Sequence, residues 1–411
     1  MKSSETFAVV GANLAGGRAA EALRGAGFGG RVLLIGAEDE PPYERPPLSK
    51  EILKGTMQPE QALLRPRDGW AAEDIDLILG TRVMRLLPDE RALELDDGTM
   101  VRADKVLLCT GGRVRPLAVP GVELDGVHYL RTLNDALAVR EYLRPDAPIV
   151  VIGAGFVGAE VAACAKEAGC RVTLLEAAEV PLLRALGAKV GRLYGSYHLQ
   201  RGVDLHTGVA IDRIDGDQRA RAVVTADGTR FEADCIVIGV GLEPNVELSE
   251  EAGIRVGNGI MVDEYCQTSL DNVYAAGDVA YFPNPVLGQQ VRLEHWQNAQ
   301  NQAVSAAKSM LGERTPFAEV PWFWSHQFDL NLQMAGHLSA TDDVVVRGSM
   351  EEARFCAFYL RDGLLAGVLA VNRPRDVRAA TKLIECHARV DPAQLADEDV
   401  DLRKVGTVLR G

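Results

Sequence analysis

Several things are scarce in this sequence, and each scarcity narrows what the chain can be. Its longest apolar runs, such as CIVIGVGL at 235–242, fall far short of the roughly 20 residues that a membrane-crossing helix needs. Cysteines number only seven, an odd count with no C-x-x-C pair. That argues against a disulfide scaffold or a zinc ribbon and fits reduced thiols. No low-complexity tract interrupts the chain, and no group of residues suggests a metal site. Basic residues are in deficit: 44 Lys and Arg stand against 58 Asp and Glu, a formal charge of −14. Nonspecific binding to nucleic acid or to an anionic membrane is therefore not expected. The first apolar strand starts within a few residues of Met1, which leaves no room for a signal peptide. The expected location is cytoplasmic.

What is present is ordinary globular composition, 47% hydrophobic and 25% charged over 411 residues, long enough for two or three domains. An acidic protein partner would need a local basic patch. Three loops offer one: Arg65 and Arg67, Arg113 and Arg115, and Arg373, Arg375 and Arg378. Each arginine taken alone reads as a solvated side chain.

The most informative stretch opens the chain. FAVVGANLAGGRAAEALRGAGFGGRVLLIGAE, residues 7–38, reads as strand, glycine turn, helix and strand. Gly11 permits a tight turn, and Gly16 lets the helix lie close to the sheet. The helix N-terminus, over Leu14 and Ala15, presents free N–H groups and a positive dipole end to a pyrophosphate. Glu38 can accept hydrogen bonds from a ribose diol. The middle glycine of the expected G-x-G-x-x-G is missing, with Asn13 in its place. Asparagine is tolerable there because it accepts positive φ better than most residues and is a good helix N-cap.

A second unit, PIVVIGAGFVGAEVAACAKEAGCRVTLLEA at 148–177, repeats the pattern in full with Gly153, Gly155 and Gly158. Phe156 and Val157 continue the turn. Glu176 ends the next strand, about 20 residues on, where a ribose-binding acid belongs. Its charge would repel the extra phosphate of NADPH, so NADH is the expected substrate. Two such turns in one chain suggest two dinucleotides, one held tightly and one exchanged. A flavin and a nicotinamide are the economical pair.

Further segments occur in order: PPYERPPLSK (41–50), LLCTGG (107–112), YLRTLNDA (129–136), VYAAGDVA (273–280), RLEHWQNAQNQA (292–303), VPWFWSHQFDLNLQMAG (320–336) and AVNRPRDVRAA (370–380). Together they closely resemble the FAD-dependent, NADH-dependent ferredoxin reductases of oxygenase systems, the family of putidaredoxin reductase, rhodocoxin reductase and the biphenyl dioxygenase reductase component. The resemblance spans essentially the whole chain. It departs from the family pattern at Asn13, at His295 where serine is common, and at His326 where aspartate is common; the two histidines put local pKa values and the flavin potential in question.

The resemblance implies an α/β fold with two Rossmann-like dinucleotide-binding domains of glutathione-reductase type and a C-terminal α+β domain. The implied FAD domain is discontinuous, 1–113 with 243–320; the NAD domain is 114–242, and 321–411 completes the flavin site. A dimerisation domain is the alternative for that tail. The flavin set implied by the family is Gly11, Asn13, Leu14, Ala15, Gly16, Glu38, Arg45, Lys50, Val83, Thr110, Gly111, Arg131, Asp278, Glu294, His295, Trp296 and Trp324, with Trp322 a weaker candidate. The nicotinamide set is Gly153, Gly155, Phe156, Val157, Gly158, Glu160, Glu176, Arg184, Gly239 and Gly241. Lys50 and Glu160 are the catalytic pair: the lysine stabilises charge on reduced flavin, and the glutamate positions it. His198 and His206 are expected at the surface.

The implied reaction is hydride transfer from NADH to flavin N5, then two single-electron transfers to a [2Fe–2S] ferredoxin serving a cytochrome P450 or a ring-hydroxylating dioxygenase. A rubredoxin reductase is a close alternative. A related disulfide or peroxide reductase would need a redox cysteine beside the flavin, but residues 1–108 hold none. A non-turnover NADH sensor resembling apoptosis-inducing factor would want a basic surface or a targeting segment, and neither is visible.

Overall fold

A computed structural model describes residues 4–406. The outer ends of the first and last expected domains, residues 1–3 and 407–411, lie outside the described residues. The chain divides into two compact units. One comprises Met1–Glu44, Glu60–Arg113 and Glu243–Trp322; the other comprises Arg45–Pro59, Val114–Leu242 and Phe323–Gly411.

The first unit is built on a five-stranded parallel sheet in the order Val273–Ala275, Lys105–Leu108, Thr6–Val10, Arg31–Ile35, Ile75–Ile78. Thr6–Val10 is central and buried along its whole length. That is why it reads as an unbroken apolar run rather than an alternating one. In register, Val10 lies beside Ile35 on one side and Leu108 on the other, so three strands end together. The helix Leu14–Gly25 buries Ala15, Ala19, Ala20 and Leu23, and it packs against the helix Trp296–Met310. Small side chains on that face let the two helices approach closely.

A second parallel sheet, in the order Asp204–Thr207, Arg171–Glu176, Pro148–Ile152, Cys235–Ile238, Val127–Tyr129, organises the other unit. The helix Phe156–Glu167 follows its central strand. This unit also holds a five-stranded sheet in the order Trp322–Gln327, Leu330–Gly336, Leu364–Val371, Arg354–Arg361, Asp343–Ser349. The last four strands of that order pair antiparallel. Helix Pro374–Glu385 packs on this sheet, giving an α+β region beside the α/β one. The helix Leu183–Gln200 bends at Gly187, whose φ of 73° breaks the helical run. Beyond the bend, Tyr194 and His198 lie one turn apart on its buried face.

That placement corrects one expectation: His198 is fully buried, not at the surface. His206 is half-exposed beside Asp204. No helix among the described residues is long and apolar enough to cross a membrane.

Candidate functional site

In the first unit the glycine turn sits at the C-terminal ends of adjacent parallel strands, where open α/β sheets bind ligands. Gly11 has φ 115°, and a Cβ there would lie 2.1 Å from the Cys109 carbonyl oxygen, so no other residue fits. Asn13 is extended, with φ −114° and ψ −168°, so its tolerance of positive φ is not what admits it. Its side chain is committed to the protein instead. Oδ1 accepts the Gly16 N–H at 3.2 Å as the N-cap of the helix, and Nδ2 donates to the Cys109 carbonyl at 2.6 Å. One residue thus caps the helix and ties the turn to the neighbouring strand.

The same unit holds other residues of the expected flavin set. Leu14 and Ala15 open the helix and are buried. Glu38, half-buried, accepts the Tyr43 hydroxyl at 2.6 Å. Thr110 and Gly111 follow Cys109 and are laced to Asn245: Thr110 Oγ1 donates to its carbonyl at 2.8 Å, and Asn245 Nδ2 donates back to the Thr110 carbonyl at 2.8 Å. Gly277 comes so near the first helix that a Cβ there would sit 3.1 Å from the Ala15 Cβ, which brings half-buried Asp278 beside the same turn. His295 is the N-cap of the helix that begins at Trp296. Loss of solvation pushes the His295 imidazole down to about 4, against the opposing pull of Asp278. Glu294 is exposed and pairs with Arg292 at 2.6 Å. Val83 is buried at the start of its strand. Trp322 is half-buried at the end of this unit.

In the second unit the complete fingerprint has a different character. Gly153 (φ 101°) would place a Cβ 2.4 Å from the Gly239 carbonyl oxygen, and Gly158 would place one 2.0 Å from the Gly153 carbonyl oxygen. Both are required by the fold itself. Gly155, the helix N-cap, has an unremarkable φ of −72°, and a Cβ there would meet no protein atom within 4 Å. No packing contact accounts for a glycine at that point, and the space above the helix N-terminus is open. Glu176 lies beside it. One carboxylate oxygen accepts the Ala154 N–H at 2.7 Å and the other accepts the Ala178 N–H at 2.8 Å, which fixes the acid at the end of its strand. Phe156 packs on Phe323 with ring centroids 4.8 Å apart, and Val157 is 47% exposed. Gly241 (φ 114°) and Arg184 are exposed. An Arg45 guanidinium nitrogen donates to the Arg131 carbonyl.

The same unit holds a buried charge cluster. Two prolines fix a 3-10 turn over Pro46–Ser49, and Lys50 closes it. Lys50 Nζ donates to Glu160 Oε2 at 2.9 Å, with both residues buried. Ser49 Oγ donates to the same carboxylate oxygen. The other oxygen, Oε1, accepts from Ser325 Oγ at 2.6 Å. Glu160 is on the first turns of the helix that follows the complete fingerprint. Two formal charges taken out of water are costly, so stability alone is a poor reason for a buried pair of this kind. Trp324 is half-buried next to Ser325, and His326 is exposed.

The sequence reading named Lys50 and Glu160, which the structure brings together, and did not name Ser325 or Gln327, both fully buried. The signal for them was strand alternation. In WFWSHQ, Ser325 and Gln327 share one face while Trp324 and His326 share the other. All seven cysteines are free, and six are buried. Burial pushes the thiols of Cys164 and Cys235 up to about 12 and those of Cys109 and Cys266 higher still. None of these four is poised for redox chemistry near neutral pH.

A sequence model described as pyridine nucleotide-disulphide oxidoreductase matches residues 5–303, and one described as reductase C-terminal matches residues 322–406. Rhodocoxin reductase of Rhodococcus erythropolis is 41% identical over 399 residues, covering 97% of this chain and 93% of the relative. The ferredoxin--NAD(+) reductase component of the anthranilate 1,2-dioxygenase system of Burkholderia cepacia is 42% identical over 402 residues, covering 98% and 99%. Among solved structures, the covalent putidaredoxin reductase–putidaredoxin complex contains a chain that superimposes with a TM-score of 0.95 at 38% identity, covering 98% of each chain. With two dinucleotide-type turns, a C-terminal α+β region and likeness along its whole length, the chain belongs to the pyridine nucleotide-disulphide oxidoreductase family, as an oxidoreductase of the kind that carries the reductase C-terminal domain.

Proposed function

We propose that this chain is an NADH-dependent ferredoxin reductase that holds FAD as its resident cofactor. The observation that carries the reading is the buried Lys50–Glu160 pair on the turn and helix beside the complete fingerprint, in a chain with no cysteine before Cys109, whose own thiol burial keeps protonated. The residues fit the two nucleotides. Gly155 leaves an open cradle at a helix N-terminus, and Glu176 is fixed at the strand end to meet a ribose diol. In the first unit Gly11, Gly16 and Asn13 shape the turn toward the FAD pyrophosphate, with Leu14 and Ala15 offering helix N–H groups and Glu38 facing the ribose.

FAD, when bound, supplies the step from a two-electron hydride donor to a one-electron acceptor. The chain supplies binding, orientation and charge. Thr110, Gly111, Asp278, Glu294, His295, Trp296 and Trp324 belong to the flavin set, along with Val83 at the adenine, Arg45 and Arg131. Phe156, Val157, Arg184, Gly239 and Gly241 join the NADH set. Lys50 holds positive charge where negative charge develops, and Glu160 holds Lys50. In domain terms, residues 1–113 and 243–320 bind FAD, 114–242 bind NADH, and 321–411 form the third domain.

The acceptor follows from the relatives, which are named as ferredoxin reductases of oxygenase systems. Of the three arginine clusters, Arg65 is neutralised by Glu21 and Glu73, and Arg113 by Glu243 and Glu247. Arg375 and Arg378 are exposed and form no ion pair among the described residues. They share one face of the helix Pro374–Glu385 and suit an acidic ferredoxin.

The test is stopped-flow reduction of the purified yellow protein by NADH, followed by mixing with [2Fe–2S] ferredoxins and with a rubredoxin. Lys50→Met should lower the reduction rate by about 100-fold with a much smaller change in NADH affinity. A colourless protein that takes up no FAD, or equal losses in rate and affinity, would count against the reading. Fast turnover with rubredoxin alone would change the acceptor.

A further inference from the structure

Behind the charge cluster lies a chain of buried polar side chains that no step described so far uses. Gln327 Nε2 donates to Ser325 Oγ at 3.0 Å, and Ser325 donates to Glu160 Oε1 at 2.6 Å. The Gln327 amide oxygen receives two groups from the helix Leu183–Gln200: the Tyr194 hydroxyl donates to it, and His198 Nε2 lies 2.8 Å away. Tyr194, His198, Ser325 and Gln327 are each at most 4% exposed.

The direction of these bonds can be worked out. An amide oxygen only accepts, so His198 carries its proton on Nε2. Burial holds the imidazole below its ordinary value, so it stays neutral with Nδ1 unprotonated. Nδ1 has no hydrogen-bond partner. The Gln327 amide donates to Ser325, which leaves the Ser325 proton free to point at Glu160. With Ser49 and Lys50 on the opposite carboxylate oxygen, every donor in the network is aimed toward one carboxylate. A buried polar network with all its donors aligned is rigid and costly to break in part.

We propose that Ser325 and Gln327, backed by Tyr194 and His198, are positioning residues that hold the Glu160 carboxylate and, through it, Lys50. The inference rests on the reading of Lys50 and Glu160 given above. It also assigns a task to the Ser and Gln of WFWSHQ and to the buried face of the helix beyond Gly187.

Ser325→Ala removes one donor to Glu160 at small steric cost. Gln327→Glu keeps the shape but replaces the amide N–H by an acceptor, which turns the Ser325 proton away from Glu160. The first readout needs no turnover: trace acetylation of lysines with acetic anhydride, quantified by mass spectrometry. In both variants Lys50 should be acetylated about tenfold faster than in the unaltered protein, with Lys54 and Lys166 unchanged, because loss of its anchor exposes the amine. The second readout is stopped-flow. The reduction rate should fall about tenfold while the NADH dissociation constant stays within about twofold, as expected for lost orientation rather than lost binding. His198→Gln restores a donor to the Gln327 oxygen and should behave like the unaltered protein, whereas His198→Leu should share the defect in milder form.

Unchanged Lys50 acetylation in Ser325→Ala and Gln327→Glu would overturn the proposal, as would an equal rise at all three lysines, which would signal general loosening. Because acetylation is read without NADH, it decides the matter even in a protein that NADH fails to reduce.

Discussion

The two glycine turns of this chain solve one geometric problem in two ways. In the second turn, every glycine that the backbone needs is accompanied by one it does not need: Gly155 has an ordinary φ and open space where its Cβ would be. In the first turn, Asn13 stands at the equivalent position with a side chain bound twice to the protein. The comparison separates two demands that the G-x-G-x-x-G pattern merges. The outer glycines serve the fold, because strand and helix backbones come too close for a Cβ. In the proposed function the middle residue serves the ligand, and a side chain can stand there if it folds down onto the turn. A resident cofactor exchanged rarely can share its turn with such a side chain. A substrate that must enter and leave at every turnover is better served by open space.

The sharpest way to break this comparison is Gly155→Ala. Its φ and surroundings accommodate alanine, and the lower entropy of the unfolded chain offsets the poorer helix cap, so stability should change by less than about 1 kcal/mol. NADH binding should weaken by on the order of 100-fold, because a methyl group would enter the phosphate cradle. Gly153→Ala is the contrast: its clash and positive φ should cost roughly 1–3 kcal/mol of stability. If Gly155→Ala binds NADH normally in titrations, the two turns do not differ as argued.

Next in size is Glu176→Gln. The unaltered protein should favour NADH over NADPH, and the neutral amide should narrow that preference by on the order of tenfold, measured as kcat/KM for both donors. Undiminished discrimination would mean that the acid fixed by Ala154 and Ala178 does not meet the ribose.

Asn13→Gly should cost about 1 kcal/mol of stability in denaturant unfolding, since it removes a helix cap and the bond to the Cys109 carbonyl. FAD content should stay at one per chain. Loss of the flavin would show that Asn13 holds the cofactor rather than only tolerating it.

The smallest effect concerns pH. His198 is buried and holds its proton less tightly than an unfolded imidazole at about 6.5. The unfolded chain therefore binds more protons as pH falls below that value, and stability drops through the range between the unfolded and folded values. Above it, the contribution is full. His198→Gln should flatten the acid side of a melting-temperature profile by a fraction of the whole slope.

Much of the fold could be read along the chain because its signals are local. Thr6–Val10 and Pro148–Ile152 are apolar, followed by glycine and then by small helix-favouring residues. Both became central parallel strands with helices after them. Lys50 and Glu160 were legible only through a motif resemblance, since 110 positions separate them. His198 was expected at the surface and is fully buried, although its neighbours Leu199, Gln200 and Arg201 are exposed. Nothing nearby in sequence reveals that the helix bends at Gly187 and buries that face.

By itself the sequence determined the pair of crossover units and the place of each tight turn. These depend on backbone sterics and on the apolar period, which act over a few residues at a time. Only the tertiary structure decided that Asn13 would fold down as a cap. It alone decided, too, that the space over Gly155 would stay open, that Ser49, Lys50 and Ser325 would converge on Glu160, and that Gln327 and His198 would stand behind Ser325. Hydrogen bonds in a dry interior are set by angstrom distances between side chains more than 100 positions apart, and no local pattern encodes them.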